Sequence, residues 1–313
     1  MATEYNTKII LVADIERGGV FASIWGVYNL LPQELRKNVI GVIVNKFRGD
    51  LTLFDEGIRI IEEDFKIPVL GVLPYLPFNL GFEDSASLKN FVQQPRNKKL
   101  DIAVIAYPYM SNYNDFEPLI ADDEVFVEFV SSNISLEKFD LVILPGSKLV
   151  IKDLIWLKQM GLFEQIKNYK KDICAICGGY EMMFESLNDI YALENEQALK
   201  EEGFGFIPDI ITFEKEKILE KKSYDLFGTK IDGFEIHHGM CQKYPLSFEK
   251  ENFKGTFVHQ IFDNNEFRTN YFKSIKTDYI GFDFQEYKKQ TVDNFISTLK
   301  AKLDVEHLIK SIS

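Results

Sequence analysis

Short runs of uninterrupted apolar residues alternate along this chain with stretches where apolar residues recur every three or four positions. Residues 8–13, 39–44 and 69–73 are runs of the first kind, and runs apolar throughout predict strands buried on both faces. Residues 21–31 and about 52–65 show helical spacing between them. Strands alternating with helices predict a parallel α/β sheet, whose ligands gather at the strands' C-terminal ends. Asp14 and Asn45 stand at two such ends, followed by Lys46 and Arg48. A carboxylate there is suited to magnesium, and the two cations to phosphate or carboxylate groups. The competing reading is four solvated loop side chains.

A polar stretch at 90–99 reads as a linker. A second α/β pattern opens at 100–106 and continues with strands at 126–130 and 139–144. The last of these runs into Pro145-Gly146-Ser147-Lys148, a turn whose exposed backbone N–H groups suit an oxyanion or a substrate carboxylate. Residues 151–160 and 163–169 read as helical. From 203 onward the pattern changes to shorter β-like pieces, and 293–303 reads as an amphipathic closing helix with Phe295, Leu299 and Leu303 on one face.

Between these halves lies the stretch with the strongest chemical signal. An apolar strand at 173–176 meets Cys177, then Gly178 and Gly179, then a helix-compatible run. Strand, nucleophile and helix in that order form a nucleophile elbow, and a helix N-terminus behind the sulfur favours thiolate. The competing reading is a buried cysteine ending a core strand. A thiol that attacks a carbonyl needs a base, and the four histidines are His237, His238, His259 and His307. His259 follows an apolar strand, His237 and His238 lie in a similar setting, and His307 sits in the polar tail. Cys174 and Cys177 also spell Cys-x-x-Cys, but the third cysteine, Cys241, is isolated, so a four-cysteine metal clip is not available. A redox helix would begin at its first cysteine, whereas Cys174 falls inside the strand.

Composition narrows the class. With 313 residues, 46% hydrophobic, two domains are expected. A net charge of −12 argues against nucleic acid or an anionic membrane as the main partner. Three cysteines without a repeating pattern, and no signal-peptide layout at residues 1–6, predict a cytoplasmic protein. No Gly-x-x-x-x-Gly-Lys-Ser/Thr loop occurs, nor any Gly-Lys dipeptide. The first sheet therefore reads as the second half of a larger domain.

Eight separated blocks, in order, resemble the cobyric acid synthase family, the glutamine-dependent amidotransferases of cobalamin biosynthesis. They are residues 11–22 (LVADIERGGVFA), 44–50 (VNKFRGD), 71–77 (GVLPYLP), 111–116 (SNYNDF), 144–148 (LPGSK), 176–180 (ICGGY), 233–237 (GFEIH) and 255–259 (GTFVH). The resemblance implies an α/β protein in which a partial P-loop, dethiobiotin-synthetase-like parallel sheet precedes a class I glutamine amidotransferase domain of flavodoxin-like fold. The expected parts are 1–92, the C-terminal half of an ATP-dependent synthetase domain; 100–275, the amidotransferase; and 276–313, a helical tail.

It further implies that Cys177 takes ammonia from L-glutamine through a thioester, with His259 as base and Gly146, Ser147, Gly178 and Glu181 around the substrate and oxyanion. Four carboxylates (b, d, e, g) of adenosylcobyrinic a,c-diamide would be amidated to cobyric acid, with this chain supplying the glutaminase part. ATP and magnesium belong to the complete enzyme, with Asp14, Asn45, Lys46 and Arg48 on the synthetase side and Asp14 toward the metal. Tight ATP binding by this chain alone is not expected without the phosphate loop. The expected partners are glutamine, the corrinoid and either a separate P-loop chain or further copies of this one, with no nucleic acid and no membrane.

The chain also departs from the family pattern. Ile261 stands where many cysteine amidotransferases have the glutamate that orients the histidine, so a backbone carbonyl is expected to hold His259 and leave a dyad. Glu181 stands where glutamine is usual, and an ionised carboxylate cannot donate to a substrate amide oxygen. Leu149 and Val150 replace a polar pair. The second hypothesis, from a different class, is a degenerate non-catalytic relative that serves as a binding or scaffold module, or a truncated remnant.

Overall fold

The computed structural model describes residues 4–5, 7–76, 98–303 and 305–312, and it falls into two compact units, Met1–Leu80 with Tyr287–Ser313, and Gly81–Glu286. The linker expected at 90–99 lies outside the described residues apart from Lys98 and Lys99.

In the first unit three parallel strands, β1 (Ile9–Asp14), β2 (Val39–Phe47) and β3 (Val69–Pro74), pair in the order β1-β2-β3. Gly18 (φ 74°) and Gly19 (φ 68°) turn the chain from β1 into helix α1 (Val20–Leu30), a left-handed pair that glycine adopts without strain. Val20 and Ile24 of α1 join Ala13, Val42, Val44, Phe54 and Ile61 in the core. A short helix α2 (Gln33–Arg36) leads into β2. The helix expected at 52–65 is three pieces: a 3₁₀ turn (Leu51–Phe54) capped by the Asp50 side chain, helix α3 (Asp55–Arg59) and a π turn (Ile60–Asp64). That wider turn keeps Ile61 buried before Lys66, at φ 58°, redirects the chain.

The second unit is built on a six-stranded sheet. Its strands are β4 (Leu100–Ile105), β6 (Val125–Val130), β7 (Leu141–Leu144), β9 (Asp172–Ile176), β14 (Ser247–Lys250) and β15 (Phe253–Thr256), in the order β14-β15-β9-β7-β4-β6. All neighbours are parallel except β14, which lies antiparallel on β15. Counting only the parallel strands, the order is 2-1-3-4-5, the flavodoxin-like arrangement, with the direction of winding reversing between β4 and β7. Each central strand is buried on both faces, and each buried Ile, Leu or Val contributes roughly 1.5–3 kcal/mol. The loops at the C-terminal ends of β4, β7, β9 and β15 are thereby fixed to the most rigid part of the unit. Short strands β5 (Met110–Ser111) and β8 (Gly146–Ser147) pair antiparallel just beyond those ends. Helices α4 (Glu117–Ala121), α5 (Val150–Gln159), α6 (Leu162–Lys167) and α7 (Gly178–Met182) make the crossovers.

A second sheet, ordered β11-β10-β12-β13, adds β10 (Phe184–Asp189), β11 (Leu199–Glu202), β12 (Ile207–Leu226) and β13 (Thr229–Met240). The short pieces expected here are in fact strands of 20 and 12 residues. The middle of β12 is charged and solvent-exposed on both faces, so no two-residue alternation marks it in the sequence. After helix α8 (Asn265–Ile275), helix α9 (Phe284–Lys302) begins nine residues before the expected 293 because 284–292 buries only Phe284. Helix α10 (Val305–Ile312) closes the chain.

Candidate active site

Cys177 holds the backbone that an elbow requires. Its φ of 51° and ψ of −113° cost a non-glycine residue on the order of 1–3 kcal/mol. Hydrogen bonds from Cys177 N to Thr256 O (2.8 Å) and from Gly179 N to Pro145 O (2.9 Å) hold it there. Neither following glycine tolerates a side chain: a Cβ on Gly179 would stand 2.2 Å from Leu144 O, and one on Gly178 2.7 Å from Ser147 N. Helix α7 behind the sulfur has only five residues, so its dipole is a weaker aid to the thiolate than the sequence implies. What it offers the site is the Gly178 N–H, which at the first helical position has no intrahelical acceptor. The Cys177 thiol, 5% exposed, points to Ile236 O at 3.6 Å. Cys174 is packed inside β9, where burial pushes its thiol up to about 12. All three cysteines are free.

His259 lies three residues past β15, its ring fully buried and stacked on Phe234. The expectation of a dyad held by a backbone carbonyl is overturned here. Asp115 Oδ2 accepts from His259 Nδ1 at 2.6 Å, and Asp115 Oδ1 accepts from Gln260 N at 2.8 Å. The left-handed Gln260 (φ 65°) lets both donors reach one carboxylate. Asp115 comes from a 3₁₀ turn (Tyr113–Phe116) after β5 and is 0% exposed. Burial alone depresses the imidazole's pKa, but the Asp115 carboxylate and the Cys177 sulfur, both within hydrogen-bonding reach, raise it to about 10 on balance. Asn112 Nδ2 lies 3.0 Å from His259 Nε2. That amide donates to a neutral ring protonated on Nδ1; once Nε2 carries a proton, the amide must turn its oxygen inward.

Cys177 forms part of a pocket of about 310 Å³ lined also by Ser111, Asn112, Ser147, Lys148, Glu181, Glu194, Lys217, His237 and His238. That volume is at the small end of ligand pockets. Gly146 leaves the space that His259 needs, since a Cβ there would meet the ring's Cε1 at 3.0 Å. The Ser147 hydroxyl is turned to structural use: it donates to Asp153 Oδ2 (2.5 Å) and accepts from Leu149 N (3.1 Å). Asp153 also accepts from Tyr109 N, and burial lifts its carboxyl to about 6. The Ser147 main chain, rather than its hydroxyl, lies beside Gly178.

Glu181, one helical turn after Cys177, is 2% exposed. Burial, with help from the neighbouring Cys177 and Glu194, raises its carboxyl well above the usual range. That direction favours the neutral acid, which can donate, over the ionised carboxylate expected from the sequence. Glu194 also faces the pocket, lifted to about 7 mainly by burial while Ile151 N and Val150 N donate to it.

The other histidines are placed differently. His237 lines the same pocket, but Gly239 O lies 2.8 Å from its Nδ1 and Glu235 Oε2 3.3 Å from its Nε2, so neither nitrogen faces the thiol. His238 Nδ1 bonds to Glu214 O. The His307 side chain lies outside the described residues.

The candidate residues of the first unit also come together, at the ends of β1 and β2. Asp14 and Asn45 are register partners, and Lys46 Nζ binds Asp14 Oδ2 at 2.8 Å. The Lys46 hydrogen bond, aided by the Glu16 N–H, holds the Asp14 carboxyl below its ordinary range. Arg48 sits 3.5 Å over the Tyr75 ring and binds Glu16. The four side chains of these two ion pairs are between 32% and 58% exposed. Among the described residues no group of three or more His, Cys, Asp or Glu side chains is gathered to hold a metal.

Residues 101–267 match the CobB/CobQ-like glutamine amidotransferase domain, and residues 1–78 match an AAA domain. The chain is 66% identical over 312 residues to a cobyric acid synthase of Acinetobacter baylyi, covering 100% of this chain and 67% of that protein. It is 36% identical to one of Clostridium tetani, covering 98% and 67%, and 34% identical to one of Prochlorococcus marinus, covering 99% and 68%. It thus spans about two thirds of the length of these relatives. A buried cysteine–histidine–aspartate line on a flavodoxin-like sheet and a match along the whole chain agree: this chain belongs to the cobyric acid synthase family of glutamine amidotransferases.

Proposed function

We propose that this chain supplies the glutaminase half of a cobyric acid synthase, drawing ammonia from L-glutamine for amidation of adenosylcobyrinic a,c-diamide carboxylates. The observation that carries the reading is the buried line from Asp115 through His259 to Cys177, opening on a small pocket. The Cys177 sulfur, its proton already passed to His259 Nε2, attacks the side-chain carboxamide carbon. Asp115 stabilises the resulting imidazolium through Nδ1 and fixes the ring's orientation. The Gly178 N–H and the facing Gly146–Ser147 backbone receive the developing oxyanion. His259 returns its proton to the leaving nitrogen, which departs as ammonia, and the γ-glutamyl thioester remains on Cys177. Water, deprotonated by His259, then releases glutamate and restores the thiol. A non-catalytic binding module would have no use for a strained cysteine backed by an oriented base.

The ATP-dependent half needs carboxylates converted into better electrophiles, because a carboxylate resists attack by ammonia. ATP supplies that activation as an acyl phosphate when bound. Asp14, one ionised carboxylate beside one lysine, has the donor chemistry of part of an ATP–magnesium site, in which magnesium takes one or two carboxylates and the phosphates. Asp14 would turn to the metal and Lys46 to the phosphates. A phosphate-cradling loop is not in this sequence, so we assign it to a segment or chain outside these residues, and tight ATP binding is not expected of residues 1–313.

The test is ammonia and glutamate release from L-glutamine by this chain, with Cys177→Ser as the blank. Turnover in the wild type and none in the variant is the expected result. A wild type that makes no glutamate and forms no thioester would end the glutaminase reading.

A further inference from the structure

Two charged groups that the proposed chemistry does not use stand on the pocket wall beside Cys177, and each is carried there by an irregularity of the chain. The first is on β12. Its pairing with β13 runs from Phe213↔Gly239 directly to Ile218↔His237, with four residues between them on β12 against one on β13, so the four bulge from the ladder. His238 Nδ1 pins that bulge through Glu214 O at 2.9 Å. Bulges re-aim side chains and collect near active sites. Here the bulge turns Lys217, from the solvent-exposed middle of a long hairpin, onto the lining of the thiol's pocket.

The second group is Glu194, in the turn after β10. The buried Asp189 accepts from Leu193 N (2.7 Å) and Glu194 N (3.0 Å), which fixes that turn. Ile151 N at the start of α5 donates to Glu194 Oε2 at 3.0 Å, which fixes the carboxylate itself. A carboxyl group and a lysine side chain therefore share the small pocket that the Cys177 sulfur also lines.

We propose that Glu194 and Lys217 determine substrate specificity by reading the two ends of a free α-amino acid. Glu194 receives the α-ammonium and Lys217 the α-carboxylate of the glutamine whose side-chain amide lies at Cys177. The proposal rests on the glutaminase reading above and goes further, because it makes the site selective for the free zwitterion. Glutamine inside a peptide offers neither charge, and glutamine acylated on nitrogen offers only the carboxylate. Lys148 also lines the pocket, and the test below separates the two lysines.

The test compares kcat/KM for three amides on the full chain: L-glutamine, 4-carbamoylbutanoate (no α-ammonium) and 4-aminobutanamide (no α-carboxylate). The wild type is expected to prefer glutamine over each by ~10–100-fold, the scale of one hydrogen bond to a charged group. Glu194→Gln should erase the preference over 4-carbamoylbutanoate and keep that over 4-aminobutanamide. Lys217→Ala should do the reverse. Variants that slow all three amides equally, or leave both ratios as in the wild type, would overturn the proposal. So would Lys148→Ala if it, rather than Lys217→Ala, erased the second preference. A wild type that hydrolyses none of the three would remove the glutaminase reading and this inference with it, whereas wild-type glutamine turnover with unchanged ratios removes only the inference.

Discussion

Asp115 with His259 and Asp14 with Lys46 are two acid–base pairs of nearly equal length, 2.6 and 2.8 Å, each set where parallel strands end. They differ in surroundings. The first has side chains 1% and 0% exposed, with both oxygens of the aspartate used and the far ring nitrogen turned toward a sulfur. The second has side chains 32% and 42% exposed and is turned toward itself. An exposed pair contributes ~0–1 kcal/mol, whereas removing one partner of a buried pair costs ~3–5 kcal/mol because a charge is left stranded. At nearly equal distances, burial thus separates a pair suited to hold a catalytic base from one that a ligand can part at little cost.

The largest expected effect attacks the buried pair. His259→Ala and Asp115→Ala should each lower glutamine turnover by ~10²–10⁴-fold, the scale of losing an oriented general base. Asp14→Asn should leave that turnover unchanged. If His237→Ala matches His259→Ala in steady-state kinetics, the base has been assigned to the wrong ring.

The elbow is legible in the amino-acid sequence because its signal is local: an apolar strand, a cysteine and two glycines in consecutive positions. The parallel sheets are legible for the same reason, as their buried strands read as unbroken apolar runs. Asp115 carries no such mark, although its block 111–116 stands out, because its partner is 144 residues away and only the packing of the 113–116 turn against the chain just past β15 brings the two together. The upward shift of the Glu181 carboxyl escapes a sequence reading because burial by Gly239 and the second sheet leaves no trace at position 181. The length of β12 is hidden by its exposure, and Glu194 and Lys217 by the turn and bulge that carry them.

A second, smaller effect tests how tightly the buried site is built. Gly179→Ala would drive a Cβ to 2.2 Å from Leu144 O, and such overpacking costs ~1–3 kcal/mol. A fall in Tm of at least ~2 °C for the second unit is expected by calorimetry. Lys46→Ala in the exposed pair should move the first unit's Tm by less than that.

The third effect is a pH dependence. Glu194's carboxyl, at about 7 in the fold, lies above the ~4.3 of an unfolded glutamate. The native state therefore holds more protons across that window, and this group costs stability as pH rises from about 4 to about 7. Glu194→Gln never ionises, so its Tm relative to wild type should climb across the window and then level off. A difference that stays flat, or falls with pH, would show that the carboxyl is not held up by burial.

The smallest expected effect concerns Glu181. Burial favours its neutral form, which donates much as glutamine does, so Glu181→Gln should change the KM for glutamine by less than ~3-fold near neutral pH. A larger fall in KM would restore the ionised carboxylate.

The central claim is that Asp115, His259 and Cys177 act as one unit, and the rate of Cys177 alkylation by a diazo-ketone analogue of glutamine tests it directly. With peptides mapped by mass spectrometry, label is expected on Cys177 alone, absent in Cys177→Ala, and ~10²-fold or more slower in Asp115→Asn. Labelling of Cys174, or an Asp115→Asn protein that reacts at the wild-type rate, would contradict it.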